Sequence, residues 1–264
     1  MDKAAPTPLR RTRQRSLKPQ PPVPACAPEG LAIFLDLDGT LVDIADKPSG
    51  IALDAPLREL LDRLQQRTSG ALALVSGRSI DDLDGHLQPL ALPVAGQHGL
   101  ERRDASGVRR AASGRELLEP ARQAIDRLLH RHPDVFVEEK GLSLAVHYRN
   151  RPVLASWLHR SLRELVGRFP SQLALQRGKR VIEIKLAGAD KGAAIAAFLD
   201  EPPFRGRRPV FIGDDNTDEH GFAIVNASHG ISVKVGAGNT AAQYRLPDVG
   251  AVVAWLSAIA EGTP

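Results

Sequence analysis

The sequence predicts an α/β fold, a parallel sheet flanked by helices and interrupted by an α+β insertion. Three observations predict it. Short apolar runs alternate with helical patterns before residue 100. The pattern then changes to helix–hairpin, helix–hairpin through about residue 183. Strand and helix runs resume afterwards, and acidic residues follow two of the strands.

The first apolar run covers 31–35, the composition of a strand buried on both faces. A helix face follows, with Leu57, Leu60, Leu61 and Leu64 at helical spacing and Ser69-Gly70 closing it. A second buried strand covers 71–75, and Ser79 with Asp82 three residues on marks a helix start. A third strand is expected at 92–95.

From 101 to 111 a short hairpin turns around Ser106-Gly107. A helix is expected over 115–131 and strands over 135–138 and 142–149. A second helix is expected over 153–168, with a hairpin over 173–176 and 180–185. Residues 100–183 therefore read as an inserted unit. A helix at 193–199, strands at 209–213 and 230–235, and a last helix at 249–260 capped by Asp248 return to the first pattern. The core, 29–99 and 184–264, is Rossmann-like.

The chain has 264 residues, 42% hydrophobic and 25% charged, as in soluble globular proteins. No apolar run approaches the roughly 20 residues of a membrane span. Cys26 is the single cysteine, so no intrachain disulfide can form, and a reducing, cytoplasmic setting is expected. Lys3, Arg10, Arg11, Arg13, Arg15 and Lys18 against Asp2 give the first 28 residues +5. The rest of a +4 chain then carries −1. Basicity thus belongs to a proline-rich 1–28 segment, expected to be a disordered tail, and nucleic acid is not the expected partner. The segment lacks the apolar stretch of a signal peptide.

Chemistry concentrates where strands end. Asp36 and Asp38 sit two apart behind the first strand, so both point to one side, with Gly39 allowing a tight turn and Thr40 adding a hydroxyl. Open α/β sheets bind ligands at the carboxyl ends of their strands. Paired carboxylates suit Mg²⁺ and also a division into nucleophile and acid/base. Three more sites lie after strands or at helix starts: Ser76, Lys191, and Asp214/Asp215/Asp218. Taken singly, Ser76 reads as a turn residue and Lys191 as a solvated helix lysine. Their joint order carries the signal.

That order, D-x-D-G-T, then a strand ending in Ser, then Lys, then G-D-D-x-x-D, resembles the haloacid dehalogenase superfamily. The inserted α+β unit resembles its sugar-phosphatase caps. Leu74-Val-Ser-Gly-Arg78, Gly96-Gln-His-Gly-Leu-Glu101, His147-Tyr-Arg149, Gly178-Lys179 with Glu183, and Phe211-Ile-Gly-Asp-Asp-Asn-Thr-Asp-Glu219 are similar to the trehalose-phosphate phosphatases. The resemblance covers roughly 30–255. It implies hydrolysis of trehalose 6-phosphate, in trehalose biosynthesis, with Asp36 as nucleophile and Asp38 as acid/base. It implies Mg²⁺ on the Asp36 carboxylate, the Asp38 carbonyl and Asp214, with Asp218 orienting waters or the lysine. Thr40, Ser76 and Lys191 would hold the phosphoryl oxygens.

In the cap, Lys179 and Glu183 are the sugar-binding candidates, with a polar hairpin tip as the alternative. His147 and Arg149 fit either sugar contact or a structural ion pair, and His98 and Glu101 lie near the hinge. A trehalose-6-phosphate synthase is a conceivable partner. The alternatives are a phosphatase for sucrose 6-phosphate or a mannosyl phosphate, and a non-catalytic binding domain of the same fold.

Overall fold

The computed structural model describes residues 21–44, 53–169, 171–178 and 180–262. An eight-stranded sheet forms the core, in the order β12-β11-β10-β1-β2-β3-β4-β5. Its central strand β1 (Leu31–Leu35) pairs in parallel with β2 (Leu72–Val75) on one side and β10 (Arg208–Gly213) on the other. Strand β3 (Val94–Gly96) continues outward from β2, and β11 (Ile231–Val235) and β12 (Tyr244–Leu246) continue outward from β10, all parallel. Strand order thus reverses between β1 and β10. Such a switch point opens a crevice at the carboxyl ends of the two strands, and Asp36 and Asp214 are the residues leaving those ends.

Alternation along β1 feeds two cores. Ile33 and Leu35 pack with Leu60 and Leu61 of α1 (Ala55–Arg67), Leu83 of α2 (Ile80–Leu87) and Leu256 of α7 (Val249–Glu261). Ala32 and Phe34 face the other side, against Ile195 and Phe198 of α5 (Lys191–Leu199) and Phe222 of α6 (Glu219–Ala227). Helices on both faces explain why the parallel strands are near-continuous apolar runs. The two expected caps form at Ser79 and Asp248, and Asp54 and Asp190 act in the same way; each accepts a backbone N–H from the first turn of its helix.

The insertion is a second layer pair. A four-stranded antiparallel sheet runs β6 (Phe136–Glu139), β7 (Ser143–His147), β9 (Val181–Leu186), β8 (Leu173–Gly178). Helices α3 (Leu118–Leu129) and α4 (Ala155–Val166) cover one face through Ile125, Leu158 and Leu162, packed on Val146, Ile182 and Ile184. The opposite face carries Ser143, Ala145 and Glu183 and is not covered by α3 or α4.

Several expectations shift. The hairpin β4 (Glu101–Arg103) and β5 (Arg109–Ala111) adds antiparallel to β3, so it extends the core sheet, and the insertion begins after residue 111 rather than at 100. Two bidentate pairs hold it there, Arg102 on Glu201 at 2.7 and 2.8 Å and Arg103 on Asp84 at the same distances. At the other end β9 runs to Leu186, past the expected limit of 183. Arg149 lies in the turn after β7, not on the strand with His147.

The expected 1–28 tail shortens as well. Residues 1–20 lie outside the described residues, while Val23 and Cys26 pack on the core and Trp255 donates to the Pro24 carbonyl at 3.1 Å. Residues 45–52 lie outside the described residues as well. Helix α6 and the three-residue strand β12 had no expectation, because the first holds Gly221 and Asn226 inside a short apolar stretch and the second is an edge strand.

The side of the sheet facing α5 and α6 is closed by stacked rings. Phe204 is fully buried, 5.4 Å from Phe34 and 5.1 Å from Phe198 between ring centroids. Phe204→Ala should lower stability by about 3–5 kcal/mol through lost contacts and the residual cavity. Urea unfolding followed by core fluorescence would test this, and a loss under about 1 kcal/mol would contradict a close-packed ring cluster.

Candidate active site

Burial decides the character of the switch-point crevice. Asp36 is 4% exposed, Lys191 2% and Asp218 0%. Lys191 opens α5, capped by Asp190, and its Nζ lies 2.7 Å from Asp36 Oδ1 and 2.7 Å from Asp218 Oδ1. The bland reading of Lys191 as a solvated helix lysine fails, since its ammonium is buried between two carboxylates. Burial alone would lower its pKa, but the charges and hydrogen bonds of Asp218 and Asp36 hold it above the ordinary lysine value. Burial pushes the Asp36 carboxyl well up, Lys191 opposes this, and Asp218 and Asp214 add to it.

Asp214 leaves the end of β10 and completes the acidic group. Oxygens of Asp36, Asp214 and Asp218 lie within 4.8 Å of one another. Burial, then repulsion from Asp218 and Asp215, raises the Asp214 pKa to about 6. Lys234, 5% exposed on β11, donates to the Asp214 carbonyl and fixes the backbone there. Asp218 spends both oxygens, one on Lys191 and one accepting the Asp215 N–H at 2.9 Å in a capping box. It therefore positions its neighbours and has less to offer an ion than Asp36 or Asp214.

The turn after β1 is built around the same group. Gly39 has φ +83°, and a Cβ there would stand 2.3 Å from Asp214 Oδ2. Only glycine lets the loop come this close. The Thr40 hydroxyl is buried with no hydrogen-bond partner. Ser76 is also buried, its Oγ accepting from the Arg78 N–H at 3.2 Å and its carbonyl from His98 N–H at 2.9 Å.

Asp38 points differently from Asp36. Arg78 grips both its oxygens, Nε to Oδ2 at 2.6 Å and a terminal nitrogen to Oδ1 at 2.7 Å. Burial opposes the Arg78 charge, but Asp38 and Asp82 hold the guanidinium above its ordinary pKa. Sequence reading quoted Arg78 within a motif without a role. Its position two residues past Ser76 was the available signal. The Asp38 carboxylate is not in the acidic group and is held by Arg78 instead.

The cap meets the core beside this loop. Gln97 donates to Glu101 at 3.1 Å and accepts from Leu142 N–H at 3.1 Å, while Glu101 also accepts from Ile80 N–H. His98, at φ 58°, lies over Gly77, where a Cβ would touch its ring at 2.6 Å. His98 Nε2 reaches Glu183 Oε2 of the cap at 3.3 Å.

Glu183 is 6% exposed and accepts from Ser143 Oγ at 2.6 Å, with Lys140 Nζ at 3.9 Å. Burial would raise its pKa; His98, Lys140 and Ser143 bring it down to about 2. The charge it contributes to stability is present above the usual carboxylate range and is lost as pH falls toward 2. Glu183 thus sits in a strand at the core–cap junction, not at a hairpin tip. Lys179 lies outside the described residues. His147 Nε2 lies in hydrogen-bond contact with Glu138 Oε2 at 2.9 Å, and Arg149 is exposed.

The donor set fits a hard divalent cation. Three carboxylates face one ammonium in contact, all donors are oxygen, and Thr40 keeps an unspent buried hydroxyl. Asp36 and Asp214 retain oxygens for such an ion.

Comparison with known proteins agrees with this geometry. A haloacid dehalogenase-like hydrolase from Bacteroides thetaiotaomicron shares the fold, with TM-score 0.66 at 19% identity over 87% of this chain and 98% of the other. A solved structure described as a trehalose-6-phosphate phosphatase related protein aligns with TM-score 0.69 at 26% identity, over 88% of this chain and 97% of the other. The trehalose-6-phosphate phosphatase of Escherichia coli K12 is 44% identical over 232 residues, 86% of each chain. The family model described as trehalose-phosphatase matches residues 34–249. Since that match spans most of the chain and the relative is covered over nearly its whole length, the chain belongs to the trehalose-phosphatase family.

Proposed function

We propose that the protein hydrolyses trehalose 6-phosphate to trehalose and phosphate, through an aspartyl-phosphate on Asp36 and with Mg²⁺. The observation that carries this is the buried Asp36–Lys191–Asp218 group at the switch point, with Asp214 beside it. Family membership supplies the substrate class, and a cytoplasmic site of action belongs to the same reading.

Asp36 attacks phosphorus, and the phosphorus–sugar oxygen bond breaks as the Asp36–phosphorus bond forms. Asp38 gives a proton to the leaving sugar oxygen, then takes one from the water that releases phosphate. For this, one Asp38 oxygen must turn from Arg78, which otherwise orients the carboxylate. Lys191, Thr40 and Ser76 hold the phosphoryl oxygens. Lys191 offsets the repulsion between two anions that meet in a site of low dielectric. Asp36, the Asp38 carbonyl and Asp214 would hold Mg²⁺, with Asp218 positioning from behind, and the ion would supply further charge compensation at the phosphoryl group. In the cap, Glu183 and Lys179 contact the sugar. Glu183 keeps a lone-pair site beyond those used by His98, Ser143 and Lys140.

The first test is phosphate release from trehalose 6-phosphate beside sucrose 6-phosphate, a mannosyl phosphate and glucose 6-phosphate. Trehalose 6-phosphate should be preferred in kcat/KM, and equal rates across the panel would leave only a general sugar phosphatase. Dialysis against EDTA should abolish turnover, Mg²⁺ should restore it, and Mg²⁺ should raise Tm with concentration. Full activity in metal-free buffer would exclude the scheme.

Asp36→Asn should fold and lose about 10³-fold or more in kcat, since the amide is a poor nucleophile. Near wild-type turnover in a folded Asp36→Asn chain would rule out the covalent step. Glu183→Gln keeps shape while removing charge. It should lower kcat/KM on trehalose 6-phosphate by roughly 2- to 100-fold, from about 0.5–3 kcal/mol per hydrogen bond. The loss on p-nitrophenyl phosphate should be smaller, and equal losses would assign Glu183 a structural role alone.

A further inference from the structure

Basic charge is unevenly spread over the cap. Residues 112–147 hold five Lys and Arg against six Asp and Glu, while residues 148–182 hold eight against Glu164 alone. That second stretch supplies α4, β8 and the turn into β9. A solvated helix face normally mixes both signs, because like charges three or four residues apart repel. The one-sided charge of this half therefore calls for a counter-charge from outside it.

The fold gathers part of that charge at one place. His159 and Arg163 are four residues apart on α4, so they share a side of the helix. Arg177 stands opposite Ile182 in the β8–β9 register, and Ile182 is buried beneath the cap helices, so Arg177 belongs to the helix-covered face of the sheet. There α4 packs on β8. Burial, then the charges of Arg177 and Arg163, lower the pKa of the half-buried His159, and among the described residues no carboxylate opposes them. Tyr148, 7% exposed, backs the imidazole, with ring centroids 6.1 Å apart and planes at 78°. Other arginines of the cap find acids: Arg122 meets Asp126 and Glu139, and Arg151 meets Asp134. Among the described residues, Arg163 and Arg177 have no carboxylate within 4.0 Å.

Two guanidinium groups and an imidazole without an acid match a phosphoryl group. A guanidinium fork spans two phosphoryl oxygens, and the imidazole adds a further N–H. As a purely structural element the group is unfavourable, since each positive charge disfavours the next. A patch kept only for solubility has no use for a half-buried imidazole between two arginines. The cluster is also separate from the catalytic crevice. Alternation along β9 turns Glu183 toward His98 of the core and Ile182 toward the helices, so Arg177 lies behind the sheet as seen from the core.

We infer that His159, Arg163 and Arg177, backed by Tyr148, form a second phosphoryl-binding site on the helix side of the cap, taking free phosphate or a small phosphate monoester. The site does not depend on the proposed function. A dianion held there joins α4 to β8, which pairs with the strand carrying Glu183.

The experiment follows the His159 ring protons by NMR in metal-free buffer, assigned by their loss in His159→Gln. Inorganic phosphate and glucose 6-phosphate are titrated separately, each against sodium chloride of equal ionic strength. The His159 signals should move and saturate with at least one of the two, and the compound that saturates at lower concentration identifies the source. The ring's pKa should rise in its presence, since an adjacent anion favours the imidazolium. In the Arg163→Gln/Arg177→Gln double variant, with both changes at exposed positions, the half-saturating concentration should rise about tenfold or more.

Signals that move equally in chloride overturn the site, because screening alone then explains them. Movement retained at the same concentrations in the double variant also overturns it, since the change is then transmitted from the catalytic crevice. No response to either phosphate compound does the same, and a response to poly-glutamate in its place makes the face a docking surface for an acidic protein instead.

Discussion

The rest of the site depends on one buried ammonium. Lys191 Nζ sits 2.7 Å from both Asp36 and Asp218, with all three side chains nearly or wholly out of solvent. Removing one partner from such a group leaves an uncompensated buried charge, about 3–5 kcal/mol in comparable cases. The fold supplies the group from separate elements, Asp36 from the end of β1, Lys191 from the first turn of α5 and Asp218 from the entry to α6. Close approach of these elements is itself constrained. Gly192 opposes the His220 carbonyl and Gly213 opposes Asp218, at distances where a Cβ would meet them at 2.6 and 2.3 Å. The glycines are thus part of the electrostatics, since larger residues would push the charges apart.

A lysine that satisfies two of three carboxylates leaves the third short of positive charge. Asp214 shows this in a pKa raised to about 6, with burial as the first cause and Asp218 and Asp215 next. Lys191 and Lys234 offset it only in part, Lys234 spending its hydrogen bonds on the carbonyls of residues 214 and 235. An ion or a substrate's own counter-charges would relieve it. The scaffold is therefore more stable without the ion than a bare acidic cluster would be, yet still biased toward taking one.

Much of this was legible in the sequence because strand ends are readable. An apolar run on both faces, followed by Asp36-Leu-Asp38-Gly39, states both a buried strand and what leaves it. Ser76 and Asp214 follow their strands in the same way. The hairpin 101–111 was legible as a hairpin, but its membership in the core sheet was not, since pairing with β3 is decided by distant partners such as Glu201 for Arg102. Arg78 escaped a role for the same reason. Its partner Asp38 lies 40 residues back, and no local pattern announces a contact across that gap. Glu183 was singled out through its motif, but a motif cannot say whether a side chain faces solvent. The register with Ala145 and the contact with His98 turned it inward.

The two halves of the molecule are joined by contacts that pass through the catalytic loop. His98 is anchored by its N–H to the Ser76 carbonyl, rests on Gly77, and holds Glu183 of the cap through Nε2. Its Nδ1 is buried without a partner, and burial lowers the ring's pKa, so the neutral ring meets the carboxylate. A neutral donor holds Glu183 less tightly than a charged one would. Gln97 and Glu101 tie the cap turn at Leu142 to the start of α2 with ordinary hydrogen bonds. Apart from the chain crossings, these polar contacts are modest beside the apolar cores of each half, which share almost no residues. Each half has its own apolar packing. The contacts named at the seam between them, by contrast, are single polar ones, His98 to Glu183 and Gln97 to Leu142. The buried Asp36–Lys191–Asp218 group lies wholly on the core side of that seam, so it does not depend on them.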